Sequence, residues 1–403
     1  MKEADIERIS AAIIQRGLAG QTEVALLHGF CADCNEAGLD LAIGTAVIDT
    51  LHPIHEGRAF HWHADGSAER EMTEYSSTTY SEENWRKSVF YHLLYRGGDE
   101  LRRRIGAEPH DFSNFDALAE QGQTDYIAFL HRFDREGVIG EMDCIYTQWT
   151  TAKAGRFTDT EIAALRRLVP LLALALKTAS LARVAETIAE VYLGRDAGER
   201  VLQGRIVRGV ADRINAVLWY SDLKDFTTLA DAASPDEVIP LLNDYADAVI
   251  SAIHDKGGDV LKLIGDGVLA IFGGAEPGET CRRALLAEAK MRKRIAELSA
   301  ARKAEGRPVA GVNLGLHIGD VFYGNIGSKT RLDFTVIGPA VNEVSRIVAL
   351  CRSVDRSILL SSDFVAATPE PERSRLVSVG RFALRGVSRA QDLYTIDPEL
   401  VRE

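Results

Sequence analysis

The stretch Val260-Leu261-Lys262-Leu263-Ile264-Gly265-Asp266-Gly267-Val268-Leu269-Ala270-Ile271-Phe272 decides how the chain is read. Two aliphatic, β-branched runs, 260–264 and 268–272, flank a Gly-Asp-Gly that can reverse the chain within a few residues. The spacing predicts a β-hairpin with Asp266 at its tip. A carboxylate at a sheet edge can bind a hard cation, but Gly-Asp-Gly is equally an ordinary turn. The neighbouring elements must separate the two readings.

Upstream, residues 216–220 read as a strand that runs into Ser221-Asp222-Leu223-Lys224-Asp225-Phe226-Thr227, and a helix is expected over 235–254. Downstream, a helix over 280–302 precedes strands at 311–317 and 320–324 and a helix over 339–350. Strand, helix, strand, strand, helix, strand is a ferredoxin-like α+β order. It lays the first strand beside the hairpin and brings Asp222 and Asp266 to one sheet edge. Paired carboxylates there repel unless a cation lies between them. Mg²⁺ takes a few carboxylate oxygens plus substrate phosphates, so the pair suits a metal-bound nucleotide.

With these motifs in place, residues 215–396 resemble the catalytic domain of class III nucleotidyl cyclases. Four passages carry the resemblance: Ser221-Asp222-Leu223 with Phe226-Thr227; Leu261-Lys262-Leu263-Ile264-Gly265-Asp266; Gly319-Asp320-Val321-Phe322-Tyr323-Gly324-Asn325-Ile326-Gly327; and Asp333-Phe334-Thr335-Val336-Ile337-Gly338 leading to Val341-Asn342 and Ser345-Arg346. The resemblance implies that Asp222, Asp266 and the Leu223 carbonyl hold two divalent cations, Mg²⁺ or Mn²⁺. It implies that Asn342 orients the ribose and Arg346 stabilises charge at the α-phosphate. These two are four residues apart on one helix and so face the same way. Lys262 and Thr335 match the positions that read the purine. A lysine donor suits adenine N1 and a threonine hydroxyl can accept from the 6-amino group, which favours ATP over GTP. The threonine departs from relatives with aspartate there. Arg385 falls where a triphosphate-binding lysine is common, and arginine serves phosphate bidentately. Lys329 and Arg331 do not align securely and read as a solvated basic loop. Both halves of the residue set are present, so a homodimer with two composite sites is implied.

The first half is harder to read. A helical pattern over 3–38 is followed by strands at 42–51, 58–63, 126–133 and 140–150, with a helical segment over 83–105. Cys31 and Cys34 near His52, His55, His61 and His63 match zinc ligands in type only, because a second close cysteine pair is missing. Thr158-Asp159-Thr160-Glu161 is a capping box opening a long helix, in which Leu174, Leu181, Val184, Ile188 and Val191 keep a heptad-like spacing that could pair with a second copy. Passages such as Thr50-Leu51-His52-Pro53, Gln123-Thr124-Asp125-Tyr126 and Tyr192-Leu193-Gly194-Arg195 are similar to the regions preceding cyclase domains in alpha-proteobacterial relatives. The entry Phe157-Thr158-Asp159-Thr160-Glu161 resembles the end of a GAF-type sensor. The expected organisation is a GAF-like sensor over 1–160, a helical linker over 161–210 and a cyclase domain over 211–403, with an unidentified small-molecule or protein regulator.

Composition limits the alternatives. A net charge of -12 argues against general nucleic-acid or anionic-membrane binding. The longest apolar run, 168–176, contains Pro170 and falls short of the ~20 residues a span needs. No apolar segment follows the charged start, and five scattered cysteines fit a reducing compartment, so a cytoplasmic protein is expected. The implied reaction is conversion of ATP to 3′,5′-cyclic AMP and pyrophosphate. The rivals are a guanylate cyclase and a catalytically silent cyclase-like module. A diguanylate cyclase is disfavoured because Val260 and Leu261 follow Gly257-Gly258-Asp259 where acidic and aromatic residues are needed.

Overall fold

The computed structural model describes residues 1–68, 70–76, 82–106, 112–133, 139–140, 142–387 and 389–397. It divides into two compact units, Met1–Ile188 and Ala189–Glu403.

In the first unit, α1 (Glu3–Leu18), α2 (Glu23–Glu36), β1 (Ile43–Asp49), β2 (Gly57–His63), β3 (Met72–Tyr75), α3 (Glu82–Arg86), α4 (Val89–Arg96), β4 (Glu100–Arg104), α5 (Phe115–Glu120), β5 (Asp125–Arg132) and β6 (Cys144–Thr151) lead into α6 (Asp159–Leu193). The strands form an antiparallel sheet in the order β3-β2-β1-β6-β5-β4. One face packs Phe60, Ile127 and Trp149 against Phe30, Leu165, Leu168 and Leu172. The other packs Tyr126 and Tyr146 with Val89, Leu93 and Phe115. The expected helical run 3–38 is two helices, because Gly20 takes φ +67° and Thr22 caps α2 by accepting the Ala25 N–H. The expected helical segment 83–105 ends at Gly97 and Gly98, both with positive φ, and its tail is the edge strand β4. Only Leu101 of Glu-Leu-Arg-Arg-Arg is buried, so no alternating apolar signal marked it. Gly44 lies so close to α2 that an added Cβ would meet Trp149 at 2.8 Å and the Cys31 Sγ at 2.9 Å. Gly44→Ala is therefore expected to lower stability by about 1–3 kcal/mol, read as a shifted urea midpoint.

The capping box at the start of α6 forms as expected: Glu161 Oε2 accepts from the Thr158 N–H at 2.7 Å, and Thr158 Oγ1 accepts from the Glu161 N–H at 3.3 Å. By length and composition α6 could cross a membrane. Its Leu165, Leu168, Val169, Leu172 and Leu176 are instead buried in the first unit's core. Of the heptad-like positions, Val184 is buried, while Leu174 is 64% exposed.

The second unit comprises α7 (Arg195–Leu202), β7 (Ala211–Leu223), α8 (Phe226–Ala232), α9 (Pro235–His254), β8 (Asp259–Ile264), β9 (Gly267–Gly273), α10 (Pro277–Ala304), β10 (Val312–Gly327), β11 (Leu332–Ile337), α11 (Pro339–Leu350), β12 (Ile358–Ser361), α12 (Ser362–Ala367), β13 (Leu376–Phe382) and β14 (Gln391–Ile396). The sheet order is β13-β14-β12-β10-β7-β9-β8, with β11 paired to β10. The β10-β7-β9-β8 end of this sheet has the ferredoxin-like order expected from the sequence. The strands expected at 311–317 and 320–324 are one, since β10 stays paired with β7 from Val312↔Leu223 to Gly324↔Ala211. Side chains of β7 alternate: Val217 and Trp219 enter the core with residues of α9 and α10, while Ala216 and Leu218 join Ala340 and Val344 of α11. The segment 161–210, expected as a linker, thus gives residues to both cores: Leu165 to Leu176 in the first, Ala197 in the second.

Candidate active site

The hairpin closes through a two-residue turn: Ile264 pairs with Gly267, and Gly265 adopts φ +62°. This left-handed geometry is cheap only for glycine. β9 lies antiparallel to β7 with Ser221 opposite Val268, so the turn sits beside the end of β7. Asp222 and Asp266 consequently share one edge. The Leu223 N–H donates to Asp266 Oδ2 at 3.0 Å. Asn313 Nδ2 donates to Asp222 Oδ1 at 3.0 Å, from the register partner on β10. Burial raises the Asp222 pKa and the Asp266 carboxylate adds to the rise, while Asn313 and Arg352 oppose it. The same two carboxylates, after burial, push up the Tyr220 phenol.

Asp222, Leu223 and Asp266 line a cavity of about 190 Å³ closed on its other side by Leu242, Asn243, Tyr245 and Ala246 of α9. The mutual repulsion of the aspartates is the condition a divalent cation relieves, so the donor set fits one. Among the described residues no group of three or more His, Cys, Asp or Glu is arranged to hold a metal. A cation at this edge would have to complete its shell from backbone carbonyls, water or substrate oxygens, as Mg²⁺ commonly does.

The remaining residues of the set lie elsewhere on the unit, and none of them lines this cavity. Lys262, on β8, forms an ion pair with Asp333 of β11. Thr335 is two residues beyond Asp333 and hence on the same face of that strand. Asn342 and Arg346 are exposed on α11, as one helical turn requires. Arg385 is exposed in the connection between β13 and β14. Lys329 and Arg331 occupy an exposed turn shaped by Ser328 Oγ, which accepts from the Thr330 and Arg331 N–H groups. The sequence reading assigned no role to Asn313 or Asp333. Asn313 is recognised only through strand register, 91 residues from Asp222, and Asp333 only through its side-chain contact with Lys262, 71 residues away.

In the first unit, Cys31 and Cys34 are fully buried and their thiols are held protonated by burial. His61 bonds to Thr73 Oγ1 at 3.1 Å and His52 stacks on His55. These contacts engage the imidazoles without drawing them to the cysteines.

Residues 211–397 match the family model described as the adenylate and guanylate cyclase catalytic domain, a span that opens with β7 and closes just after β14. The second unit thus carries a class III adenylate/guanylate cyclase catalytic domain. The chain is 30% identical over 189 residues to an adenylate cyclase of Anabaena cylindrica, covering 47% of this chain and 38% of that protein. It is also 30% identical over 183 residues to adenylate cyclase 1 of Rhizobium meliloti, covering 44% and 26%. The chain therefore spans well under half the length of these relatives. Among solved structures it is similar to the adenylyl cyclase CyaB from P. aeruginosa, at 26% identity over 46% of this chain and 95% of that one, with a TM-score of 0.42.

Proposed function

We propose that this protein is an adenylate cyclase, converting ATP to 3′,5′-cyclic AMP and pyrophosphate. The observation that carries the reading is the Asp222 and Asp266 edge within a cyclase catalytic domain, together with Lys262 on the adjoining strand. The ribose 3′-oxygen attacks the α-phosphorus in line and the P–O bond to the β-phosphate breaks. Asp222, Asp266 and the Leu223 carbonyl would hold two divalent cations, Mg²⁺ or Mn²⁺, which would supply charge neutralisation and acidify the 3′-hydroxyl. Asn342 holds the ribose, Arg346 meets the charge that develops on the α-phosphate, and Arg385 binds the triphosphate. Catalysis is then mainly positioning and electrostatic stabilisation.

The site is composite in this reading, formed by two copies of the chain. Asn342 and Arg346 are exposed, and neither side chain has a hydrogen bond or ion pair among the described residues. Large apolar side chains at Leu263, Ile264, Phe322 and Ile337 are between 44% and 57% exposed. A homodimer would cover exposed apolar side chains of this kind. The first unit, proposed as a GAF-like sensor, would bias the alignment of the two half-sites and so regulate turnover in the cytoplasm.

A guanylate cyclase is the second reading, and one contact favours it. The Asp333 carboxylate beside Lys262 is an acceptor that guanine could use. Incubation with ATP or GTP plus Mn²⁺, followed by product identification, tests both: cyclic AMP supports the proposal, cyclic GMP the alternative, and no cyclic product the silent module. Lys262→Ala is expected to lower the kcat/KM for ATP by roughly tenfold or more and to narrow the ATP over GTP preference, because a site built around a purine hydrogen bond loses its discriminating donor. An unchanged preference in competition assays would remove Lys262 from base recognition.

A further inference from the structure

The exposed pair Asn342 and Arg346 can act only if α11 keeps a fixed height and rotation on the sheet. The contacts beneath it are specific. Gly315 and Gly319 of β10 leave no room for a side chain: an added Cβ would lie 3.0 Å from the Val344 carbonyl oxygen at the first and 2.8 Å from the Ala340 Cβ at the second. Between them stands His317, 3% exposed. Its Nε2 is 3.7 Å from Glu343 Oε2, on the inner side of α11 next to Asn342. Gln391 Nε2, from β14, donates to the same Glu343 oxygen at 2.6 Å.

On its other side, His317 Nδ1 lies 2.8 Å from Ser361 Oγ. Ser361 Oγ already accepts the Phe364 N–H at 3.1 Å as the cap of α12. Its own proton is then available for Nδ1, and the acceptor-only Glu343 carboxylate faces Nε2, an arrangement that favours the ring proton on Nε2. Burial lowers the His317 pKa, with the carboxylates of Glu343 and Asp363 opposing, so the neutral ring is the form that links the two sides. A line of contacts thus joins the α12 cap, β10, α11 and β14.

We propose that His317 and Glu343 are positioning residues, a buried pair that sets the rotation of α11 and thereby aims Asn342 and Arg346 at the nucleotide. The inference rests on the proposed cyclase reading for its catalytic consequence, but the pair itself can be tested without it. Neither side chain touches substrate. Tilting the helix displaces both functional groups together, which costs transition-state stabilisation more than ground-state affinity.

The test uses the full chain. Side-chain ¹⁵N NMR, with His317→Asn to assign the resonance, is expected to show a neutral Nε2–H imidazole at pH 7. An Nδ1–H tautomer or a protonated ring overturns the arrangement, whether or not the protein forms any cyclic nucleotide. In parallel, Glu343→Leu is expected to lower kcat by roughly ten- to a hundredfold with KM for ATP within about threefold of wild type. Glu343→Gln, which keeps an acceptor for Gln391 and for the imidazole, is expected to recover most of that rate. Wild-type kcat in Glu343→Leu, or an equal loss in both variants, overturns the positioning role. If the wild-type chain makes no cyclic product, the enzyme reading fails and the NMR result still decides the pair.

Discussion

Replacing Asp222 by asparagine is expected to reduce cyclic nucleotide formation by at least about a hundredfold while raising the thermal stability of the metal-free protein. The two effects share one cause. Burial and the neighbouring Asp266 charge make the ionised Asp222 less favourable in the folded chain than in the unfolded one, which is what its raised pKa records. At neutral pH the ionised carboxylate therefore costs stability, and the cost fades as pH falls through the raised pKa. Asparagine keeps an oxygen that can accept from Asn313, so the sheet edge is preserved while the repulsion goes. The melting advantage of the variant should narrow on acidification, because wild-type Asp222 then becomes neutral too. Adding Mn²⁺ should stabilise the wild type and leave the variant's melting point nearly unchanged. Equal turnover in the variant would remove Asp222 from the metal site; a large loss of melting temperature would mean that the aspartate serves the fold instead.

How much of this was legible in the sequence follows from the range of the interactions concerned. The hairpin was readable because glycine and β-branched residues within thirteen positions specify a turn and two strands locally. α9 and α11 were readable for a similar reason: proline at their first turn and an apolar stripe mark them without help from the rest of the chain. β4 was not, because Arg102 is placed there by a bond to the buried Asp125, and only Leu101 signals burial. The unbroken course of β10 was obscured by Gly319-Asp320, which looks like a turn. In the fold Gly319 is required by the close approach of Ala340, and Asp320 accepts from Arg213 at 2.6 Å and Asn215 at 2.9 Å. Asp222 and Asp266 could be paired from the order of elements alone. Their partner Asn313, the Asp333 that holds Lys262, and the His317 and Glu343 contact depend on register and helix rotation, which single-sequence periodicity does not encode.

The arrangement of the remaining residues carries the second large effect. A chain bearing Asp222→Ala and a chain bearing Arg346→Ala should each be nearly inactive alone, yet regain activity when mixed. Asp222 and Asp266 meet at the edge of β7, whereas Arg346 projects from the outer face of α11 and has no partner side chain among the described residues. If one copy contributes the aspartates and the other Asn342 and Arg346, a mixed dimer contains one site with both lesions and one with neither. Random pairing of equal amounts makes about half of all dimers mixed, each with one of two sites intact, so recovery should approach roughly a quarter of the wild-type rate per chain. The measurement is cyclic AMP formation after co-expression, with differently tagged chains captured in sequence to isolate mixed dimers. Isolated mixed dimers should then reach about half the wild-type rate. Mixed dimers that remain inactive would place both sets of residues in the same chain's site, and the exposed Leu263, Ile264, Phe322 and Ile337 would need another explanation.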